Sequence, residues 1–218
     1  MKEIKAIIFD CDGTLLDSER IYLSTWELVA KPMGYEVPME VLLDNRGKGN
    51  DYCRANLLRV MGEDFPIDEI YKKRREMNEL VFMATENVVK EGVKELLQWM
   101  KKHHIVGAVA SAKTYKMTAE HLIHAKIFEC FDAVIGGDMV EHNKPEPDSF
   151  LKAAELLGVS ANECMVVGDT LSDMQAAKAA GMKAVFVPDL VKANDEIREL
   201  ADLVVNRIDD IISVLKGE

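Results

Sequence analysis

Four consecutive apolar residues, Ala6–Phe9, break off into Asp10, Cys11, Asp12, Gly13 and Thr14, and this stretch constrains the fold more than any other. An unbroken apolar run of this length fits a strand covered on both faces, as in a parallel sheet. Residues two apart on a strand point the same way. Asp10 and Asp12 therefore project together from the carboxyl end, with Cys11 turned away. In open α/β sheets that is the edge where ligands bind. Two carboxylates so close repel each other unless a cation or a shared proton offsets the charge. A solvated Asp-Gly turn is the alternative reading of the pair. A calcium loop counted from Asp10 fails at its sixth position, Leu15 in place of Gly, and at its twelfth, Ile21 in place of Glu.

The pattern resumes after a gap. Apolar runs over 105–110, 133–135, 164–167, 184–187 and 201–205 read as strands and alternate with segments of helical periodicity. Strands alternating with helices imply a doubly wound parallel sheet with right-handed crossovers. Residues 17–88 instead read as helix and loop throughout. Ser18 is placed to cap the first helix, whose stripe is Trp26, Val29, Ala30 and Met33. The last helix of the insert, about 67–85, shows Met77, Leu80, Val81 and Ala84 on one face. The expected fold is α/β, a Rossmann-like core of residues 1–16 and 89–218 with an α-helical domain of residues 17–88 inserted.

Charge narrows the function classes. The chain of 218 residues carries 27 Lys and Arg against 38 Asp and Glu, a net charge of −11. Nucleic acid and anionic membrane surfaces are poor partners for such a protein. The basic run Lys72, Lys73, Arg74 and Arg75 sits in a helical pattern and reads as a solvated face. Cys11, Cys53, Cys130 and Cys164 show no paired spacing, which suggests reduced thiols. No 18-residue apolar stretch or signal-peptide core is present in the sequence, so the expectation is a cytoplasmic protein, a monomer or a weak homo-oligomer.

Three strand ends now carry polar groups: Asp10 with Asp12, Ser111, and Asp169. Lys144 lies in a loop stiffened by Pro145 and Pro147. Such a set suits Mg²⁺, which binds through a few carboxylates together with a substrate phosphate. Lys144 and Ser111, with the backbone N–H groups of Ala112 and Lys113 at a helix N-terminus, would hold the phosphoryl oxygens. Each residue also has an ordinary reading: Ser111 as a helix cap, Asp173 as a first-turn carboxylate, Lys144 as a surface lysine. His121 and His124, three apart on a helix, have no third ligand beside them.

Four motifs in this order resemble those of the haloacid dehalogenase superfamily, in the branch similar to phosphoglycolate phosphatase and β-phosphoglucomutase. They are Asp10-Cys11-Asp12-Gly13-Thr14, Ser111 after its strand, Lys144-Pro145-Glu146-Pro147, and Gly168-Asp169-Thr170-Leu171-Ser172-Asp173. The resemblance covers essentially the whole chain and makes the helical insert a cap. It implies that Asp10 is the nucleophile that becomes an aspartyl-phosphate and that Asp12 is general acid and then general base. It implies that Asp10, Asp169 and the Asp12 carbonyl bind Mg²⁺, that Asp173 ligates or orients, and that Ser111, Ala112 and Lys144 hold phosphate. It further implies a phosphatase of small phosphorylated metabolites, a sugar phosphate or phosphoglycolate-like.

Asp12 argues against dehalogenation, which needs no acid for an alkoxide. β-Phosphoglucomutase-like enzymes carry a His early in the first cap helix, where this chain has Tyr22. A mutase and a catalytically inactive metal- and phosphate-binding member remain the alternatives. Response-regulator receivers share the acidic site and a lysine, but they are about half this length and lack the insert. The cap loop Arg46, Gly47 and Lys48 is the candidate for substrate specificity.

Overall fold

The computed structural model describes residues 3–45 and 50–217. By its internal contacts the chain divides into two compact units, Met1–Leu16 with Val89–Glu218, and Asp17–Val88.

The larger unit is built on six parallel strands in the order β3-β2-β1-β4-β5-β6. These are β1 (Ala6–Phe9), β2 (Val106–Ala110), β3 (Ala133–Ile135), β4 (Cys164–Gly168), β5 (Lys183–Phe186) and β6 (Leu203–Val204). All four residues of β1 are fully buried, as the central position between β2 and β4 requires. Ala6 and Ile8, with Ala108, Ala110 and Val166, face a core completed by Phe150, Ala153, Met174, Ala176 and Ala177. On the other face Phe9 meets the edge of Phe131, and Gly107 lies close to Met100 and Phe131. Burying one Ile or Phe side chain contributes roughly 1.5–3 kcal/mol, so the two-sided core accounts for the unbroken apolar runs.

The helices that supply these layers are α5 (Val93–Lys102), α6 (Tyr115–His124), α7 (Asp148–Leu157), α8 (Leu171–Ala179), α9 (Asp195–Leu200) and α10 (Asp210–Lys216). The chain adds β2 and β3 on one side of β1 and then returns to lay β4 on the other. A ligand crevice forms at such a reversal, outside the carboxyl ends of the strands.

The smaller unit holds α1 (Ser18–Ala30), α2 (Met39–Asp44), α3 (Asn50–Met61) and α4 (Ile67–Ala84). Its core joins Trp26, Val29, Ala30, Val41, Leu42, Leu57, Phe65, Ile67 and Ile70. The Arg74 guanidinium stacks on the Trp26 ring, 3.9 Å from its centroid. Two expectations are corrected here. Ser18 is the first helical residue rather than the cap, and Asp17 occupies the cap position. The face of α4 holds only in part: Met77 packs against the core that buries Ile67 and Ile70 and Val81 is half-buried, but Leu80 is 66% exposed and Ala84 is exposed too. Packing against α1 selects the side of α4 that carries Ile70, and the short periodic match at Met77, Leu80, Val81 and Ala84 does not decide it.

Candidate active site

Strand register sets the site. Phe9 pairs with Val109 of β2 and with Val167 of β4, so Asp10 stands level with Ala110 and Gly168. The Asp10 N–H donates to the Val167 carbonyl at 2.8 Å and the Ser111 N–H to the Ile135 carbonyl at 3.0 Å. Hydrogen bonds of the sheet ladder thus reach the polar residue that follows β1 and the one that follows β2.

Asp10, Asp169 and Asp173 come together. One carboxylate oxygen from each lies within 4.8 Å of the others, and all three residues are buried. Lys144 is set among them from the loop before α7. Its ammonium donates to Asp10 Oδ1 at 2.5 Å, to Asp173 Oδ1 at 2.7 Å and to the Ala110 carbonyl at 3.2 Å. Burial pushes the Asp10 carboxyl up to about 7; Lys144 opposes that shift and Asp173 adds to it. Burial, with Asp10 and Asp173 close by, also holds Asp169 well above the usual carboxylate range. Burial works to lower the Lys144 pKa, but Asp10 and Asp173 more than offset it and the net direction is up. Three carboxylates against one ammonium leave the cluster short of positive charge. A small hard dication is the group that fits three convergent carboxylate oxygens.

Asp169 and Asp173 are fixed by local sequence. Thr14 is fully buried and donates from Oγ1 to Asp169 Oδ1 at 2.9 Å. Gly13 has a φ of +79°, and a Cβ there would collide with the Asp169 carboxylate, so this turn requires glycine twice over. Thr170 caps α8 in a reciprocal box with Asp173: the Asp173 N–H donates to Thr170 Oγ1 at 3.2 Å, and the Thr170 N–H donates to Asp173 Oδ2 at 3.1 Å. Both oxygens of Asp173 are therefore engaged.

The Asp12 carboxylate stands apart from this cluster. Its Oδ1 accepts from Lys113 Nζ at 2.7 Å, and the same ammonium lies 3.1 Å from His121 Nδ1. Ser111 is buried. It is not the cap of α6; Thr114 is, accepting from the Met117 N–H at 3.3 Å. Ala112 and Lys113 thus precede the helix instead of forming its N-terminus, and the Lys113 N–H donates to Ser111 Oγ at 3.2 Å. Arg46, Gly47 and Lys48 lie outside the described residues. Tyr22 lies on α1, and its carbonyl accepts from Arg74 at 2.6 Å.

Sequence reasoning did not single out Thr14, Lys90, the Lys113 ammonium or His121 as parts of the site. Lys90 donates to the Gly13 carbonyl at 2.5 Å and to Asp189 at 2.9 Å, which ties down the turn that carries Asp12. Thr14 closes the first motif and Lys113 lies two residues after Ser111, and those placements were the available signal. Cavity size is no guide to the chemistry here. A cavity of about 610 Å³ opens at the opposite edge of the sheet, where Lys5, Ile105 and Lys183 lie at the amino ends of β1, β2 and β5.

A parallel sheet with an acid–lysine centre at the carboxyl end of its central strand is the frame of an α/β enzyme. The chain belongs to the haloacid dehalogenase-like hydrolases, whose family pattern matches residues 7–187. A phosphoglycolate phosphatase of Aquifex aeolicus is 30% identical over 216 residues, covering 97% of each chain. A phosphorylated carbohydrates phosphatase of Thermotoga maritima is 26% identical over 216 residues, covering 98% of this chain and 99% of its own. The crystal structure of a candidate β-phosphoglucomutase from Thermotoga maritima superimposes with a TM-score of 0.82 at 26% identity, over 98% of this chain and 99% of that one. The chain is an enzyme of the phosphatase branch of this family. Among the described residues no helix is long and apolar enough to cross a membrane.

Proposed function

We propose that the protein is a Mg²⁺-dependent phosphohydrolase of a small phosphate monoester, a sugar phosphate or a phosphoglycolate-like compound, working through an aspartyl-phosphate. The observation that carries this reading is the buried cluster of Asp10, Asp169 and Asp173 about Lys144 at the end of β1. The two named phosphatases above support the substrate class.

Asp10, Asp169 and Asp173 would hold the ion with the Asp12 carbonyl, and bound Mg²⁺ supplies charge neutralisation for the phosphoryl oxygens. An Asp10 oxygen attacks phosphorus while the ester oxygen leaves and takes a proton from the Asp12 carboxyl. Water then attacks the same phosphorus, Asp12 accepts its proton, and the P–O bond to Asp10 breaks with its electron pair returning to the carboxylate. Lys144, held charged by its two carboxylate partners, and the buried Ser111 hydroxyl would bind phosphoryl oxygens. The reduced, scattered cysteines support a cytoplasmic setting. A mutase reading is weaker, because Tyr22 stands where that branch carries a histidine.

The test is phosphate release from a panel of phosphorylated sugars and phosphoglycolate. Release should need Mg²⁺, stop with a chelator, and fall about a thousandfold or more in Asp10→Asn. Undiminished turnover in Asp10→Asn, or turnover indifferent to Mg²⁺, would overturn the reading.

A further inference from the structure

Asp12 has to serve both as an acid and as a base, so its carboxylate must be held where one proton can leave and another arrive. The holding group lies on a neighbouring strand. β2 pairs directly with β1, and the loop that leaves β2 carries Lys113 back to the end of β1. Lys113 Nζ donates to Asp12 Oδ1 at 2.7 Å, and both side chains are only 19% exposed. Eight residues on, His121 is 1% exposed on the buried face of α6 with Thr118, Ala119 and Leu122, its Nδ1 3.1 Å from the same ammonium. An ammonium has only donors, so Nδ1 accepts and the imidazole carries its proton on Nε2. A buried polar side chain on a helix face that is otherwise apolar or hydroxylic has a cost, offset here by its bond to Lys113.

We propose that Lys113, braced by His121, is the positioning residue for Asp12, and that it acts chiefly in the second half-reaction. The inference rests on the reading of Asp12 as acid and base. The hydrogen bond at 2.7 Å fixes the rotamer of the Asp12 carboxylate. Its orientation decides whether it meets the attacking water and takes its proton. Water loses H⁺ to Asp12, its oxygen bonds phosphorus, and the bond to Asp10 breaks; no electrons leave the system. The first half-reaction has no such need when the leaving group departs as a stable phenolate. Removing Lys113 should therefore slow dephosphorylation of Asp10 and spare phosphorylation by an aryl phosphate.

Rapid mixing with p-nitrophenyl phosphate and Mg²⁺ separates the two steps. For Lys113→Met the expected result is a burst of about one nitrophenolate per enzyme, followed by steady turnover reduced about tenfold or more against wild type. KM should not rise, and the phosphoenzyme should accumulate on acid quench. Lys113→Arg should recover part of the steady rate. His121→Leu should show the same imbalance more weakly, and His121→Gln, which can still accept from Lys113, should recover part of the wild-type ratio of burst to steady rate. Burst and steady rates falling together in Lys113→Met, or a rise in KM with the ratio unchanged, overturns the proposal. Should Lys113→Met fail to fold, His121→Leu decides alone, and proportional loss in it has the same meaning. Wild-type protein giving neither burst nor turnover overturns the phosphatase reading itself, and this inference with it.

Discussion

At the scale of single residues, the acidic cluster is held in place by groups outside it. Thr14 is the clearest. Its hydroxyl is fully buried and its one bond orients Asp169. Thr14→Val keeps the shape and removes the donor. Loss of a group that orients a metal-binding carboxylate typically costs 10–100-fold in metal affinity. The expected outcome is a Mg²⁺ activation curve shifted about tenfold or more to higher concentration, with kcat at saturating Mg²⁺ changed far less. Magnesium titration of initial rates checks this, and an unshifted curve would mean that Asp169 is held by the β4–α8 turn alone. Gly13→Ala should be harsher, because the new methyl meets the Asp169 carboxylate at a positive φ.

At the scale of elements, α8 does two things through one residue. Thr170 starts the helix and also positions Asp173 through the capping box. Losing an N-cap costs about 1 kcal/mol, which for a chain of this size lowers Tm by about 2–4 °C. Thr170→Ala should show that drop together with a fall in kcat, and Thr170→Ser should restore both; a melting shift without any kcat change would separate the cap from the site. The elements also show what could be read from sequence. β1, β2 and β4 were legible because two-sided burial leaves unbroken apolar runs; Asp10 and Asp169 were legible because each sits just past a strand end, and Asp173 because it stands in the first turn of the helix that follows β4. β6 shrinks from the expected 201–205 to Leu203–Val204, because an edge strand paired only with β5 has little to extend it. The buried face of α4 was not legible, since which stripe packs depends on α1 about fifty residues away. Lys113 and Lys90 were missed for the same reason: their partners Asp12 and Gly13 lie 101 and 77 residues away along the chain.

At the scale of the whole molecule, the acidic centre makes stability depend on pH and, under the proposed function, on metal. The Asp10 carboxyl moves from 3.8 up to about 7 on folding, chiefly through burial, and Asp169 moves in the same direction. A carboxyl with a raised native pKa binds more protons folded than unfolded across that interval. The stability that Asp10 contributes is then fully present below about pH 4 and is lost as pH rises through about 7, and Asp169 acts in the same direction. The net charge of −11 adds repulsion in the same direction. A dication bound to the ionised carboxylates supplies what the metal-free protein lacks, and it competes with the protons below pH 7. Magnesium should therefore raise Tm more at pH 8 than at pH 5.5. At about a hundred times its Kd, the linkage contributes ~2.7 kcal/mol. At about 2–4 °C per kcal/mol that is a rise of ~5–10 °C at pH 8. Scanning calorimetry with and without Mg²⁺ at the two pH values checks it. Asp10→Asn removes the charge that burial opposes, so it should raise the metal-free Tm at pH 8 and shrink the Mg²⁺ increment. An increment equal at both pH values, or undiminished in Asp10→Asn, would mean that the ion stabilising the fold is bound somewhere other than this cluster.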